Sequence, residues 1–143
     1  MLEGVVLLDT DAFSKVVMTA RNREPQVADW RRRLTGRTIV IAAQTEGELR
    51  FGALSARWGP ARLAGLEAQL ARHATAPVTT EVVKAFAEVR AACRAAGHPL
   101  ADKLHMGDAW VAATAIAHDL RLLAGDRIYR DVPGLRLLED ISR

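Results

Sequence analysis

Short runs of branched aliphatic residues alternate along this chain with longer stretches whose apolar residues recur at helical spacing, and few folds accommodate that alternation. Val5-Val6-Leu7-Leu8 reads as a short buried strand, with Thr10 or Asp11 placed to cap a helix beginning near Ala12. After a polar, arginine-rich span, Thr38-Ile39-Val40-Ile41-Ala42 makes a second strand; in the following TEGELRFGALSARWG, residues Leu49, Gly52, Ala53 and Ala56 share one helical face. Gly59-Pro60 breaks that helix, and Leu63, Leu66 and Leu70 continue at helical spacing toward a third strand at Ala76-Pro77-Val78. From residue 80 to 96, Val82, Val83, Phe86, Val89 and Cys93 form an apolar stripe that Gly97 ends as a C-cap. DAWVAATAIAHDL is a further helix, with Val111, Ala115 and His118 on one face, and strands follow at 120–124 and, after a VPG turn, 135–138. The pattern predicts an α/β/α sandwich around a central, mostly parallel sheet of four or five short strands. With no internal repeat and no linker, residues 1–143 form a single domain.

Half of the residues are apolar and 26% charged, which excludes a disordered or collagen-like chain. Cys93 is the single cysteine and cannot form an internal disulfide, so a reducing cytoplasm is the expected setting. No apolar segment is long enough to span a bilayer, and Asp9 and Asp11 interrupt the N-terminal apolar run too early for a signal peptide. The basic residues are arginines except for Lys15, Lys84 and Lys103, yet the net charge is only +3, so the run Arg31-Arg32-Arg33 reads as solvated surface more readily than as a phosphate contact.

The acids are more telling. In an open parallel sheet, ligands bind in the crevice beyond the carboxyl ends of the strands. Asp9 follows the first strand, Glu48 lies early in the helix after the second, Asp108 opens a late helix, and Asp126 follows LRLLAG. Four carboxylates from separate segments are thus expected at one end of the sheet, where they repel one another unless cations bind or some are protonated. Hard Mg²⁺ or Mn²⁺ is the natural counter-charge, because the chain has no Cys or His cluster with zinc spacing. Such ions orient water and stabilise charge on phosphoryl oxygens, which points to phosphoester hydrolysis. Each acid also has a local alternative. Asp9 can help cap the next helix, although Thr10 and Asp11 already supply that, Asp11 can be a helix cap or first-turn acid, Thr45-x-x-Glu48 spells a capping box, Asp108 can be an N-cap, and Asp126 can be a turn residue.

LLDTDAFS, TEGELRFGA, GDAWVAATAIAHDLRLLAGD and VPGLRLL, in this order and spacing, resemble the PIN-domain family, specifically its VapC-type toxin ribonucleases. The resemblance implies a small, often dimeric, Mg²⁺- or Mn²⁺-dependent endoribonuclease that cuts structured RNA and is held inactive by a cognate antitoxin. It implies that Asp9, Glu48, Asp108 and Asp126 are the catalytic, metal-holding acids, and leaves the parts of Asp11 and Asp131 open. The chain departs from the family pattern at Ala124, where a Thr is usual, at Tyr129, where a Phe is common, and in the longer loop GHPLADKLHMG.

Because an acidic centre repels phosphate, RNA would be held by a cationic rim, for which Arg50, Lys103, Arg127 and Arg130 are nearest in sequence. Among the histidines, His98, His105 and His118 lack a partner pattern, and His105 is the one expected nearest the site. Trp30, Trp58 and Trp110 read as packing or dimer-contact residues rather than platforms for stacked bases. Two other functions compete. The D-x-D in LLDTDAF also suits a haloacid-dehalogenase-like phosphatase with Asp9 as nucleophile, although Phe13 stands where that family has Thr. A non-enzymatic α/β regulatory domain would use the acids only as caps.

Overall fold

The computed structural model describes residues 4–138, and in it β1 (Val5–Leu8) lies inside the sheet with β2 (Thr38–Ala42) on one side and β4 (Arg121–Leu123) on the other. β3 (Ala74–Ala76) pairs with β2 at the edge, giving the order β3-β2-β1-β4 with every pairing parallel. Helices fill the crossovers: α1 (Thr10–Phe13), continued by a π-type turn at Ser14–Met18, then α2 (Pro25–Leu34), α3 (Ala43–Ser55), α4 (Pro60–Arg72), α5 (Thr80–Ala96) and α6 (Met106–Ala117).

The aliphatic strands are buried on both faces, as a covered parallel sheet requires. Leu7 and Leu122 point into a core shared with Val89, Cys93, Val111 and Ala115 of α5 and α6. Their neighbours Val6, Leu8 and Leu123 point the other way, into a core with Phe13, Val27, Trp30 and Leu34. Burying each such side chain stabilises the fold by roughly 1.5–3 kcal/mol.

Three expected elements shift. The third strand comes earlier than 76–78, because Pro77 has no N–H for the ladder, and Ala74–Ala76 pairs instead with Val40–Ala42. The fifth strand shrinks to one parallel bridge, Leu122 to Leu137, with Leu122 N–H donating to Arg136 O; residues 139–143 lie outside the described ones. The helix after β2 starts at Ala43, so Thr45 lies inside it and forms no capping box. On α5, Thr79 caps the start and Gly97 (φ +72°) ends the helix in the left-handed conformation that glycine adopts cheaply; Val83, counted in the apolar stripe, faces outward at 49% exposure. Trp30 is core, and Trp110 stacks on Phe86 with ring centres 3.8 Å apart. Among the described residues no helix is long and apolar enough to cross a membrane.

Candidate active site

The strand order reverses at β1, from which the chain builds outward through β2 to β3 on one side and then returns to lay β4 on the other, and the crevice at such a reversal opens beyond the strands' carboxyl ends. There the structure forms an open cleft of ≈ 650 Å³ lined by Asp9, Thr10, Asp11, Ser14, Glu48, Asp108, Val111, Gly125, Asp126 and Tyr129. All four acids singled out from sequence meet in it, together with Asp11. Asp131 is not among the lining residues, and neither are Arg50, Lys103, Arg127 and Arg130.

Asp9 extends the sheet by one rung, its N–H donating to Leu123 O at 3.2 Å. It is the N-cap of α1, where a cap at Thr10 or Asp11 was expected: Oδ1 accepts from Ala12 N–H at 2.8 Å. The chain leaves β1 in extended conformation at Asp9 and enters the helix at the next residue, so the first side chain beyond the strand is the one that reaches the orphan amides. The cap uses one oxygen. Asp9 is buried (5% exposed), and its carboxyl is raised to about 7, first by that burial and then by the charges of Asp11, Asp108 and Asp126, against the lowering effect of the Ala12 amide.

Glu48 projects from α3 toward the start of α1. The Thr10 hydroxyl donates to its Oε1 and pairs with the Thr45 hydroxyl at 3.2 Å, while Gln44 Nε2 donates to Oε2 at 3.0 Å. Asp108 sits in the first turn of α6, whose N-cap position is His105; the His105 ring Nδ1 lies 3.0 Å from Asp108 Oδ2, so the histidine expected nearest the site does reach it. Tyr129 donates its hydroxyl to Asp108 Oδ1 at 3.2 Å, and burial with the charges of Asp108, Asp9 and Glu48 pushes its phenol up, so it remains a protonated donor. Asp126 caps the 3-10 turn Arg127–Tyr129 through Ile128 N–H at 2.9 Å. Asp11 is exposed and pairs with Lys15 at 3.4 Å.

The hydroxyl groups of Thr10 and Tyr129 and the amide of Gln44 are the contributors that sequence reading missed. For Tyr129 the signal was present, as the departure from Phe. The basic residues fare differently: Arg50 is engaged by Glu46 (2.9 Å) and Glu67 (2.7 Å) on the far side of α3, and Arg31 is spent on the carbonyls of Lys15, Val16 and Thr19. Lys103, Arg127 and Arg130 are exposed.

The lining thus holds five carboxylates and no basic side chain. Among the described residues no three His, Cys, Asp or Glu side chains already stand close enough to hold a metal ion. The all-oxygen donor set and the buried, charge-crowded Asp9 nevertheless suit a hard divalent cation, which would have to draw the carboxylates inward.

Fold and cleft define a single-domain, parallel α/β protein with an acidic site at the strand ends. The PIN domain family model matches residues 6–135, and the chain belongs to that family. Among solved structures, it resembles VapBC2 from Rickettsia felis bound to a DNA fragment from its promoter, at 18% identity and a TM-score of 0.74 over 93% of this chain and 96% of that one. DNA-bound VapBC from Salmonella typhimurium is similar at 23% identity and a TM-score of 0.70, over 96% and 97% of the two chains. VapBC-5 from Mycobacterium tuberculosis, a member of the VapBC family of toxin–antitoxin systems, shares 22% identity and a TM-score of 0.63 over 94% and 97%. These likenesses are of fold. No curated protein matches the chain significantly.

Proposed function

We propose that this PIN domain is a Mg²⁺- or Mn²⁺-dependent endoribonuclease, the toxin of a toxin–antitoxin pair, working in the cytoplasm as a homodimer that a cognate antitoxin restrains. The observation that carries the reading is the convergence of Asp9, Glu48, Asp108 and Asp126 from four chain segments on one cleft that no basic side chain lines. Caps alone explain it poorly, since Asp9 and Asp126 each cap through one oxygen and Glu48 and Asp108 cap nothing. The toxin assignment draws on the fold likeness to VapBC complexes.

A bound divalent ion would supply Lewis-acid stabilisation of the scissile phosphate and a water of lowered pKa. Asp9, Asp108 and Asp126 are the residues to hold it. Glu48, which is anchored through Thr10 and Gln44, would orient the attacking water or join the ligand set. Lys103, Arg127 and Arg130 would meet the flanking phosphates, a role for which Arg50 is poorly free. The phosphatase alternative is disfavoured, because Phe13, at the position where it needs a hydroxyl, is fully buried.

The test is incubation of the purified chain with total cellular RNA and Mg²⁺ or Mn²⁺, against Asp9→Asn and against chelator. Cleavage by the wild type only, and only with metal, is the expected result; equal cleavage by Asp9→Asn would sink the assignment.

A further inference from the structure

Both oxygens of Asp108 are gripped, each from a different direction. Oδ2 meets His105 Nδ1 at 3.0 Å from the residue preceding α6, and Oδ1 accepts from the Tyr129 hydroxyl at 3.2 Å from the turn after β4. The Tyr129 ring is 2% exposed and belongs to the core with Leu122 and Ile128. Core packing accounts for the ring, since a phenyl group would fill the same space, but it does not account for the hydroxyl. A buried phenol oxygen costs stability unless it is hydrogen-bonded, and here its partner is a cleft carboxylate.

Resting on the metal-dependent reading above, we propose that Tyr129 and His105 are positioning residues that fix the Asp108 carboxylate by one hydrogen bond to each oxygen, and so set the direction from which it meets a divalent cation. A carboxylate in the first turn of a helix otherwise rotates freely, and an ion must then bear the entropy of ordering it. Held at both ends, Asp108 keeps its remaining lone pairs toward the cleft. For the His105 contact to attract, its Nδ1 must carry the hydrogen. Hydrogen bonds of this kind to a metal-holding carboxylate commonly govern metal affinity by about 10- to 100-fold.

The full chain is titrated with Mn²⁺ by calorimetry, and its metal-free melting temperature recorded, for wild type, Tyr129→Phe, His105→Ala and His105→Asn. Tyr129→Phe and His105→Ala should each weaken Mn²⁺ binding by about tenfold, with little change in the metal-free melting temperature. His105→Asn, which can still present an N–H to Oδ2, should recover most of the loss. The His105 side chain is partly exposed and outside the core clusters, so its variants report on the clamp even where Tyr129→Phe disturbs packing. Unchanged Mn²⁺ affinity in His105→Ala and Tyr129→Phe, with a wild type that binds Mn²⁺ and cleaves RNA, would overturn the clamp and leave the nuclease reading standing. A wild type that neither binds Mn²⁺ nor cleaves RNA would overturn both.

Discussion

The Thr10 hydroxyl donates to the Glu48 carboxylate across 38 residues of sequence, joining the residue after the Asp9 cap to the helix that follows β2. One side of the cleft is therefore held by a hydroxyl that also pairs with Thr45. Thr10→Val keeps the branched shape and removes both contacts. Hydrogen bonds to charged groups contribute about 1.5–3 kcal/mol, so RNA cleavage should fall about tenfold or more, while Thr10→Ser should stay near wild type. Single-turnover cleavage, with circular dichroism to verify folding, checks it; equal rates for Thr10→Val and wild type would show that Glu48 needs no anchor.

Asp9 gives a pH dependence with a defined sign. Its carboxyl is raised to about 7 in the folded chain, chiefly by burial, from an ordinary 3.8. Between those values the folded chain holds a proton that the unfolded chain has released, so metal-free stability should fall as pH rises through the window. Asp9→Asn can keep the oxygen that caps Ala12 and has no charge to bury. It should therefore stabilise the metal-free protein above pH 7, by on the order of 4 kcal/mol at most, with the gain shrinking toward pH 3.8. Denaturant melts in chelator across that range measure it. A gain that is independent of pH would mean that Asp9 is not the titrating group.

What was legible in the sequence follows from locality. β1 and β2 announce themselves as unbroken aliphatic runs because both sheet faces are covered, and Gly97 marks the end of α5 because few other residues adopt its φ of +72° readily. Asp9, Asp108 and Asp126 could be named because they lie just past a strand or in the first turn of a helix, whereas Glu48, in the second turn of α3, stood out only through the family resemblance. Their anchoring could not, since Thr10 and Tyr129 find their partners 38 and 21 residues away. The cap falls one or two residues before the expected Thr10 or Asp11 for a related reason: composition permits Asp9, Thr10 or Asp11, and only the path of the chain leaving β1 decides.

Gly107 shows how closely α6 approaches α3. A Cβ there would lie 2.9 Å from Gln44 Nε2 and 3.3 Å from Glu48 Oε2, both on flexible side chains that can yield. Gly107→Ala should therefore leave the fold intact, and even raise helix stability by roughly 0.5–1 kcal/mol. The displaced Gln44 and Glu48 should meanwhile lower cleavage severalfold. Paired melting curves and cleavage rates separate the two effects; a stabilised variant with undiminished cleavage would argue that the Gln44–Glu48 contact is incidental.

The last expectation concerns how a negative polymer reaches a negative cleft. Arg127 and Arg130 are exposed, and Arg127 directly follows the cleft acid Asp126. The Arg130 carbonyl is held by His98 Nε2 at 2.7 Å, which ties this turn to the end of α5 and gives the two cations a fixed base. Each phosphate they neutralise should add about 0.7 to the dependence of log affinity on log salt for a single strand. Replacing both with Gln should weaken RNA binding across sequences and flatten that dependence by roughly 1.4, while Mn²⁺ affinity stays nearly constant because neither side chain lines the cleft. Binding of RNA to Asp9→Asn, which is expected not to cleave, with and without the double replacement and at several salt concentrations, reads the slope directly. An unaltered slope would move the RNA path away from this turn, toward Lys103 and the loop that enters α6.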